Sequence, residues 1–302
     1  MNYGFDNNKF YFEFSPANRP IGNLRQEAEL RAREIFAIEG TKVLGLSGGI
    51  DSQITLHSFL SQGFSVNTVF FHTPGHNDHE LNNVKFLDAK YSIKTEVITI
   101  DPYAHRDEIE QMSAELDIPG KYQLLQRAYA KHLPDDWHYI QNLQDPFVWV
   151  FATYKRYGFC QGYYSPEVSR IRAMESLNRK GQFILFGWTA EYLVAMIDND
   201  IHRAGLASAQ FFDGNGLAKA NTELTTHDRW DYYLKPLVYA NLWGNEIEYF
   251  PKSNGYERLE FLYLTNPEKS REHAICIPLP EFIEQIKSGT ETKRFYENVP
   301  PI

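Results

Sequence analysis

The stretch KVLGLSGGIDSQITLHSFL, residues 42–60, decides the fold. Its first half, VLGL, is a short apolar run of the kind that forms a strand buried on both faces; its last third, ITLHSFL, carries the apolar spacing of a helix. Between them stand Ser47, Gly48, Gly49, Asp51 and Ser52. Glycines there let the backbone turn sharply and approach a ligand, successive N–H groups form a cradle, and the following helix adds its positive end. The hydroxyls of Ser47 and Ser52 can donate to phosphate oxygens. Asp51 would repel a phosphate unless a divalent cation sits between them, so a Mg–phosphate site is the economical reading. An ordinary strand-to-helix turn with Ser47 as N-cap would explain the glycines but not Asp51 and Ser52.

Working outward, a helix is expected from about residue 23 to 38, closed by Gly40, and residues 1–22 read as extended and irregular, with Pro16 and Pro20 opposing a helix. After the first helix-turn unit come the strand SVNTVFFHT, the polar loop PGHNDHE, a helix near 81–91 and the β-branched run TEVITID. QFILFGWTAEYLV repeats the grammar: a short buried strand, a turn at Gly187, and a helix carrying Glu191. Strands alternating with helices predict an α/β fold, a doubly wound parallel sheet covered on both faces. The reading divides the chain into an N-terminal extension and helix (1–40), the sheet domain (41–245) with a helical insertion or lid (103–158), and a small C-terminal α+β appendage (246–302).

Composition sets the frame. In 302 residues, 43% hydrophobic and 23% charged is ordinary globular usage. A net charge of -9 supplies no general basic field, so non-specific nucleic-acid binding is not expected. Two cysteines, Cys160 and Cys276, are too few and too distant in sequence to suggest a disulfide framework or zinc site. Neither a leader-like N-terminus nor a membrane-length apolar run is seen, and a soluble cytoplasmic protein is expected.

The lysine of G-x-x-x-x-G-K-[ST] is absent and no G-x-G-x-x-G occurs at the turn. S-G-G-x-D-S instead resembles the PP-loop signature of the ATP pyrophosphatases, which include asparagine, argininosuccinate, GMP and NAD synthetases, tRNA-thiolating enzymes and phosphoadenylyl-sulfate reductases. At roughly 7% per fixed position, five positions match by chance on the order of once per million windows. The resemblance implies the Rossmann-like, adenine nucleotide alpha-hydrolase type of fold. It also implies that ATP and Mg2+ are bound, that Ser47, Gly48, Gly49, Asp51 and Ser52 grip the pyrophosphate, and that the α-phosphate is attacked. By the same resemblance FGWTAEY is a second strand-end loop, in which Gly187 turns the chain, Thr189 donates and Glu191 shares the metal with Asp51. Adenine is expected at the end of the second strand, read by backbone groups near Phe70 to Thr73, Phe71 and His72 among them, with Leu46 lining the pocket.

Positive charge must be supplied locally where negative charge grows. Lys235, in YYLKPLVYANLW, resembles the "PL" segment of several synthetases and is a catalytic candidate; Arg170, Arg172 and Arg179 are others. Arg170 and Arg172, two apart on a helix, point to different faces, so one at most reaches the site. His72, His76 and His79 lie in a polar loop without the spacing of a zinc site. Asp198 and Asp200 are weaker metal candidates.

Three activities fit these residues. The preferred one is an ATP-dependent ligase that adenylates a carboxylate or carbonyl oxygen of a small-molecule or nucleotide substrate, AMP then being displaced by a nitrogen nucleophile. The second is a sulfur transferase or phosphoadenylyl-sulfate reductase-like enzyme using Cys160, and the third a non-catalytic nucleotide-binding protein. A homodimer, or a partner donating ammonia or sulfur, is compatible with this reading.

Overall fold

The computed structural model describes residues 2–6, 9–14, 17, 19–116, 121–142, 148–151, 156–162, 166–198, 200, 235–250, 274–288 and 292–295. Five parallel strands make the central sheet: β3 (Lys42–Gly45), β4 (Asn67–His72), β5 (Thr95–Thr99), β6 (His138–Gln141) and β9 (Phe183–Leu185), in the order β5-β4-β3-β6-β9. All four pairings are parallel; Leu44, for example, lies between Thr68 of β4 and Ile140 of β6.

Helices cover both faces, because successive strand residues point to opposite sides. Leu44, Phe70, Ile140 and Ile184 face one layer, packed with α1 (Leu24–Ala37), α2 (Ile50–Leu60), α3 (Asp78–Tyr91), α7 (Ala190–Ile197) and α8 (Lys235–Trp243). Val43, Val69 and Tyr139 face the other, against Ala130 of α5 (Lys121–Ala130) and Met174 of α6 (Pro166–Glu175). The expected doubly wound α/β architecture is therefore present.

The chain leaves β3 toward β4 on one side and later reaches β6 on the other, so the strand order reverses at β3. Ligands of such sheets bind beyond the strand C-termini at this switch point. The turn that follows β3 is the S-G-G-x-D-S loop.

Two segments differ from their sequence reading. Residues 103–158, read as a helical insertion, hold α4 (Arg106–Glu115) and α5 but also β6, an interior strand of the sheet. Its four residues begin with His and end with Gln, so the apolar pattern is too short to announce a buried strand; both end side chains are nevertheless buried, and His138 accepts from Gln182 N and meets Glu39 O. Residues 1–22, read as extended and irregular, are extended but regular in part: they contain a hairpin of β1 (Asn2–Asp6) and β2 (Lys9–Phe14), to which β11 (Thr292–Phe295) adds an antiparallel strand. A further sheet, β10-β8-β7, joins β7 (Val148–Phe151), β8 (Arg156–Gly162) and β10 (Ala274–Pro278), with α9 (Leu279–Ser288) directly after β10. The tail run LEFLYL lies outside the described residues.

Candidate active site

The loop after β3 is built by two glycines with different duties. Gly48 has φ +79°, the left-handed region, and a Cβ there would stand 2.7 Å from the Asn83 Cβ of α3. Only glycine meets both demands. A Cβ on Gly49 would touch nothing closer than Ser47 Oγ at 3.4 Å, so this part of the turn is open on its outer side.

α2 starts at Gly49 without a side-chain cap. By contrast, α1 carries a full capping box between Asn23 and Gln26, and α7 is capped by Thr189, whose hydroxyl accepts from Tyr192 N. A helix that leaves its first N–H groups uncapped keeps its donors and its positive end for an anion. Asp51 sits in that first turn. Its Oδ1 accepts from the hydroxyl of Tyr239 at 3.4 Å, a residue of α8 that is buried to 1% exposure.

The two serines are linked, the Ser47 hydroxyl donating to Ser52 Oγ at a long 3.5 Å, but their other bonds differ. Ser47 Oγ accepts from Gly49 N at 3.3 Å, which folds the loop onto itself. Ser52 is buried, at 3% exposure, and its hydroxyl donates to Gly49 O at 2.9 Å. Its proton is spent on the turn, so in this structure Ser52 braces the cradle, and a phosphate would have to compete with Gly49 O to receive it.

Gln53, which the sequence reading passes over, is fully buried and makes three bonds. Its Nε2 donates to Gly48 O at 2.9 Å and Glu248 O at 2.8 Å, and its Oε1 accepts from Glu248 N at 2.8 Å. One amide thus fastens the loop to the segment after α8. A glutamine in an amphipathic reading looks like a solvent-facing residue; the signal against this is its spacing from Ile50, Leu56 and Leu60, which puts Gln53 on the apolar face of α2.

At the end of β4, Asn77 Oδ1 accepts from Thr73 N at 2.7 Å and its Nδ2 donates to Phe71 O at 2.9 Å. The single N–H of Thr73 is therefore committed, and reading a nucleobase through it would displace Asn77. Phe71 packs on Tyr129 and Tyr139, while His72 Nε2 lies 2.7 Å from Asp78 Oδ1 and Leu46 is buried at the end of β3. Beside Asn77, burial pushes the Glu80 carboxyl up to about 7, against a lowering hydrogen bond from Asn77. Asn77 immediately precedes α3 and Glu80 lies in its first turn, both within the polar run PGHNDHE, whose letters gave no warning of burial.

The second loop is placed by β9. Gly187 is buried in the turn, Thr189 caps α7 and Glu191 occupies its first turn. β9 is two strands from β3, which separates the two loops by roughly 10 Å at ordinary strand spacing. The Arg19 guanidinium, held above its usual value chiefly by its hydrogen bond to Glu27, also feels Glu191.

The basic candidates divide in the same way. Lys235 opens α8 one turn before Tyr239, so the two positions share a helix face, the Lys235 side chain lying outside the described residues. Arg170 is buried beneath the sheet, where its charge acts on Tyr139, whose hydroxyl a Cβ on Gly45 would meet at 2.5 Å. Arg172 is half-buried. Arg179 spends its guanidinium on the carbonyls of Ala130, Leu133 and Pro134 and is a structural brace rather than a site residue. Asp198 pairs with Lys287 of α9 at 2.5 Å.

The donor set suits magnesium. Mg2+ takes one or two carboxylates and completes its shell with water and phosphate oxygens, so it needs no cage of protein ligands. Among the described residues no group of three His, Cys, Asp or Glu is gathered as a metal site, and Asp51 stands at the open cradle.

A parallel sheet with this loop at its switch point is the arrangement that the S-G-G-x-D-S resemblance implies for a nucleotide-binding domain. Residues 37–132 match the model of the ThiI family, described as thiamine biosynthesis protein (ThiI). Two solved structures are also similar. One is an NH3-dependent NAD synthetase from Campylobacter jejuni subsp. jejuni NCTC 11168 in complex with the nitrate ion, 19% identical over 39% of this chain and 53% of that one, with a TM-score of 0.26. The other is NMN synthetase from Francisella tularensis, 13% identical over 77% of this chain and 99% of that one, with a TM-score of 0.32. At these scores the likeness carries no weight beside the strand order and the loop. No curated protein matches the sequence. No helix among the described residues is long and apolar enough to cross a membrane.

Proposed function

We propose that the protein is an ATP pyrophosphatase that adenylates a carboxylate or carbonyl oxygen of a small-molecule or nucleotide substrate in the cytoplasm, AMP then leaving to a nitrogen nucleophile. The observation that carries this reading is the uncapped N-terminus of α2 at an open Gly49, with Asp51 in its first turn. The N–H groups of this turn would hold the β- and γ-phosphates, leaving the α-phosphorus facing the substrate. Mg2+, held by Asp51 with Glu191, would neutralise charge on the departing pyrophosphate. Lys235, on the same helix face as Tyr239, is assigned to the charge that grows on the bridging oxygen. Tyr239 orients Asp51 through its hydroxyl.

A sulfur-transfer reading is favoured by one observation, the match of residues 37–132 to the ThiI model. It assigns the sulfur to Cys160.

Pyrophosphate release from ATP and Mg2+, assayed against pools of amino acids, nucleotides and RNA, tests both. Release lowered by about 100-fold or more in Asp51→Asn but kept in Cys160→Ser is expected. Loss with Cys160→Ser moves the assignment to sulfur transfer, and ATP binding without release from any pool overturns the catalytic reading.

A further inference from the structure

The chain has two cysteines in 302 residues, and the fold sets them opposite each other. β8 and β10 are antiparallel, and of their five partner pairs the middle one is Cys160 with Cys276. Directly opposed residues of an antiparallel pair lie on the same face of the sheet, with Cα atoms about 4.5 Å apart at a non-hydrogen-bonded position and about 5.5 Å at a hydrogen-bonded one. Disulfides span Cα separations of about 4.4 to 6.8 Å, so either kind of position falls in range. Among the described residues the ladder between β7 and β8 ends at Phe159, and the register partner of Cys160 is Cys276 of β10.

We propose that Cys160 and Cys276 are a redox pair that closes to a cross-strand disulfide. The thiolate of one cysteine attacks a low-molecular-weight disulfide such as oxidised glutathione, forming a mixed disulfide and releasing one glutathione thiol. The second cysteine then displaces the other. Two protein thiols give up two protons and two electrons, and one glutathione disulfide becomes two thiols. The bond would enclose α6, β9, α7 and α8, and with them Glu191, Lys235 and Tyr239, in one covalent loop. β10 runs straight into α9, which packs on α7 and pairs Lys287 with Asp198, so the tie is made to the helix that carries Glu191. The proposal is independent of the adenylation reading.

The full-length protein, equilibrated in glutathione buffers of graded oxidised-to-reduced ratio, then quenched, alkylated and peptide-mapped, tests it. The expected result is a monomer lighter by two hydrogens, with a cross-linked peptide joining residues 160 and 276, reversed by excess reductant and absent in Cys160→Ser and Cys276→Ser. Opening should require a ratio at least tenfold more reducing in native buffer than in guanidinium, because the register presents the second thiol at high effective concentration. Glutathione retained on both cysteines, disulfide-linked dimers, full alkylation at the most oxidising ratio, or equal midpoints in native and denaturing buffer would each overturn it. The cross-linked peptide is read from wild type, so the test survives a variant that fails to fold.

Discussion

Gln53 and Glu248, nearly two hundred residues apart in sequence, are joined as two strands would be: side-chain amide to backbone amide, with both bonds at 2.8 Å. The same Nε2 reaches Gly48 O. Gln53→Leu keeps the volume but orphans the buried Gly48 carbonyl and the part-buried Glu248 groups, and is expected to cost roughly 2–4 kcal/mol. Urea unfolding measures this. Gln53→Glu is the sharper control, since it keeps the acceptor for Glu248 N and removes the donor for two carbonyls; an unchanged midpoint in both variants would remove the clamp from the account.

Gly48→Ala introduces a left-handed alanine and a Cβ 2.7 Å from Asn83. The expected destabilisation is roughly 2–4 kcal/mol, and nucleotide affinity should fall with it because the cradle must open. Gly49→Ala meets only Ser47 Oγ, at an ordinary contact distance, and is expected to fold normally while obstructing the anion. Thermal melts with and without ATP separate the two: the first variant melts early in both, the second loses only the shift that ATP produces.

Tyr239→Phe removes one hydroxyl and leaves its ring in the core. Stability should change by about 1 kcal/mol or less. The Mg2+ concentration for half-maximal pyrophosphate release should rise by roughly threefold to tenfold, since Asp51 loses the donor that orients it. A Mg2+ titration identical to wild type would make Tyr239 a packing residue.

Glu80 gives the fold a pH slope. Its carboxyl, near 4.5 in an unfolded chain, is raised to about 7 by burial. Between these values the folded form holds more protons than the unfolded, so the stability it contributes is whole below about 4.5 and is lost as pH rises through about 7. The total is no more than roughly 3 kcal/mol. Glu80→Gln keeps an acceptor for Asn77 and should match wild type near pH 4.5 while exceeding it above pH 7. Parallel denaturation curves at all pH values would show that the carboxyl is not raised.

What the sequence made legible follows from where each signal is stored. VLGL, TVFF and FIL are local runs, and the turn between β3 and α2 is specified by glycines that only its own conformation requires, so the central sheet and the PP-loop could be read directly. β6 could not: HYIQ owes its burial to β3 and β9 on either side, and nothing in four mixed letters records them. Gln53, Asn77 and Tyr239 were hidden for the same reason. Each side chain is defined by what it fastens, and the partners of Gln53 and Tyr239 lie far along the chain. Cys160 and Cys276, too few and too distant in sequence to suggest a disulfide framework, are likewise set opposite each other by strand register.

β2 has its hairpin partner within a few residues, yet its other edge is closed by Thr292–Phe295. During synthesis that edge is made long before Thr292–Phe295 and remains open until this closing strand is released. An unpaired edge is a template for any extended segment, and β2, read KFYFEF, is rich in aromatics. The interval between its appearance and its closure spans the synthesis of the entire central sheet, so β2 is a strand whose edge a chaperone would protect.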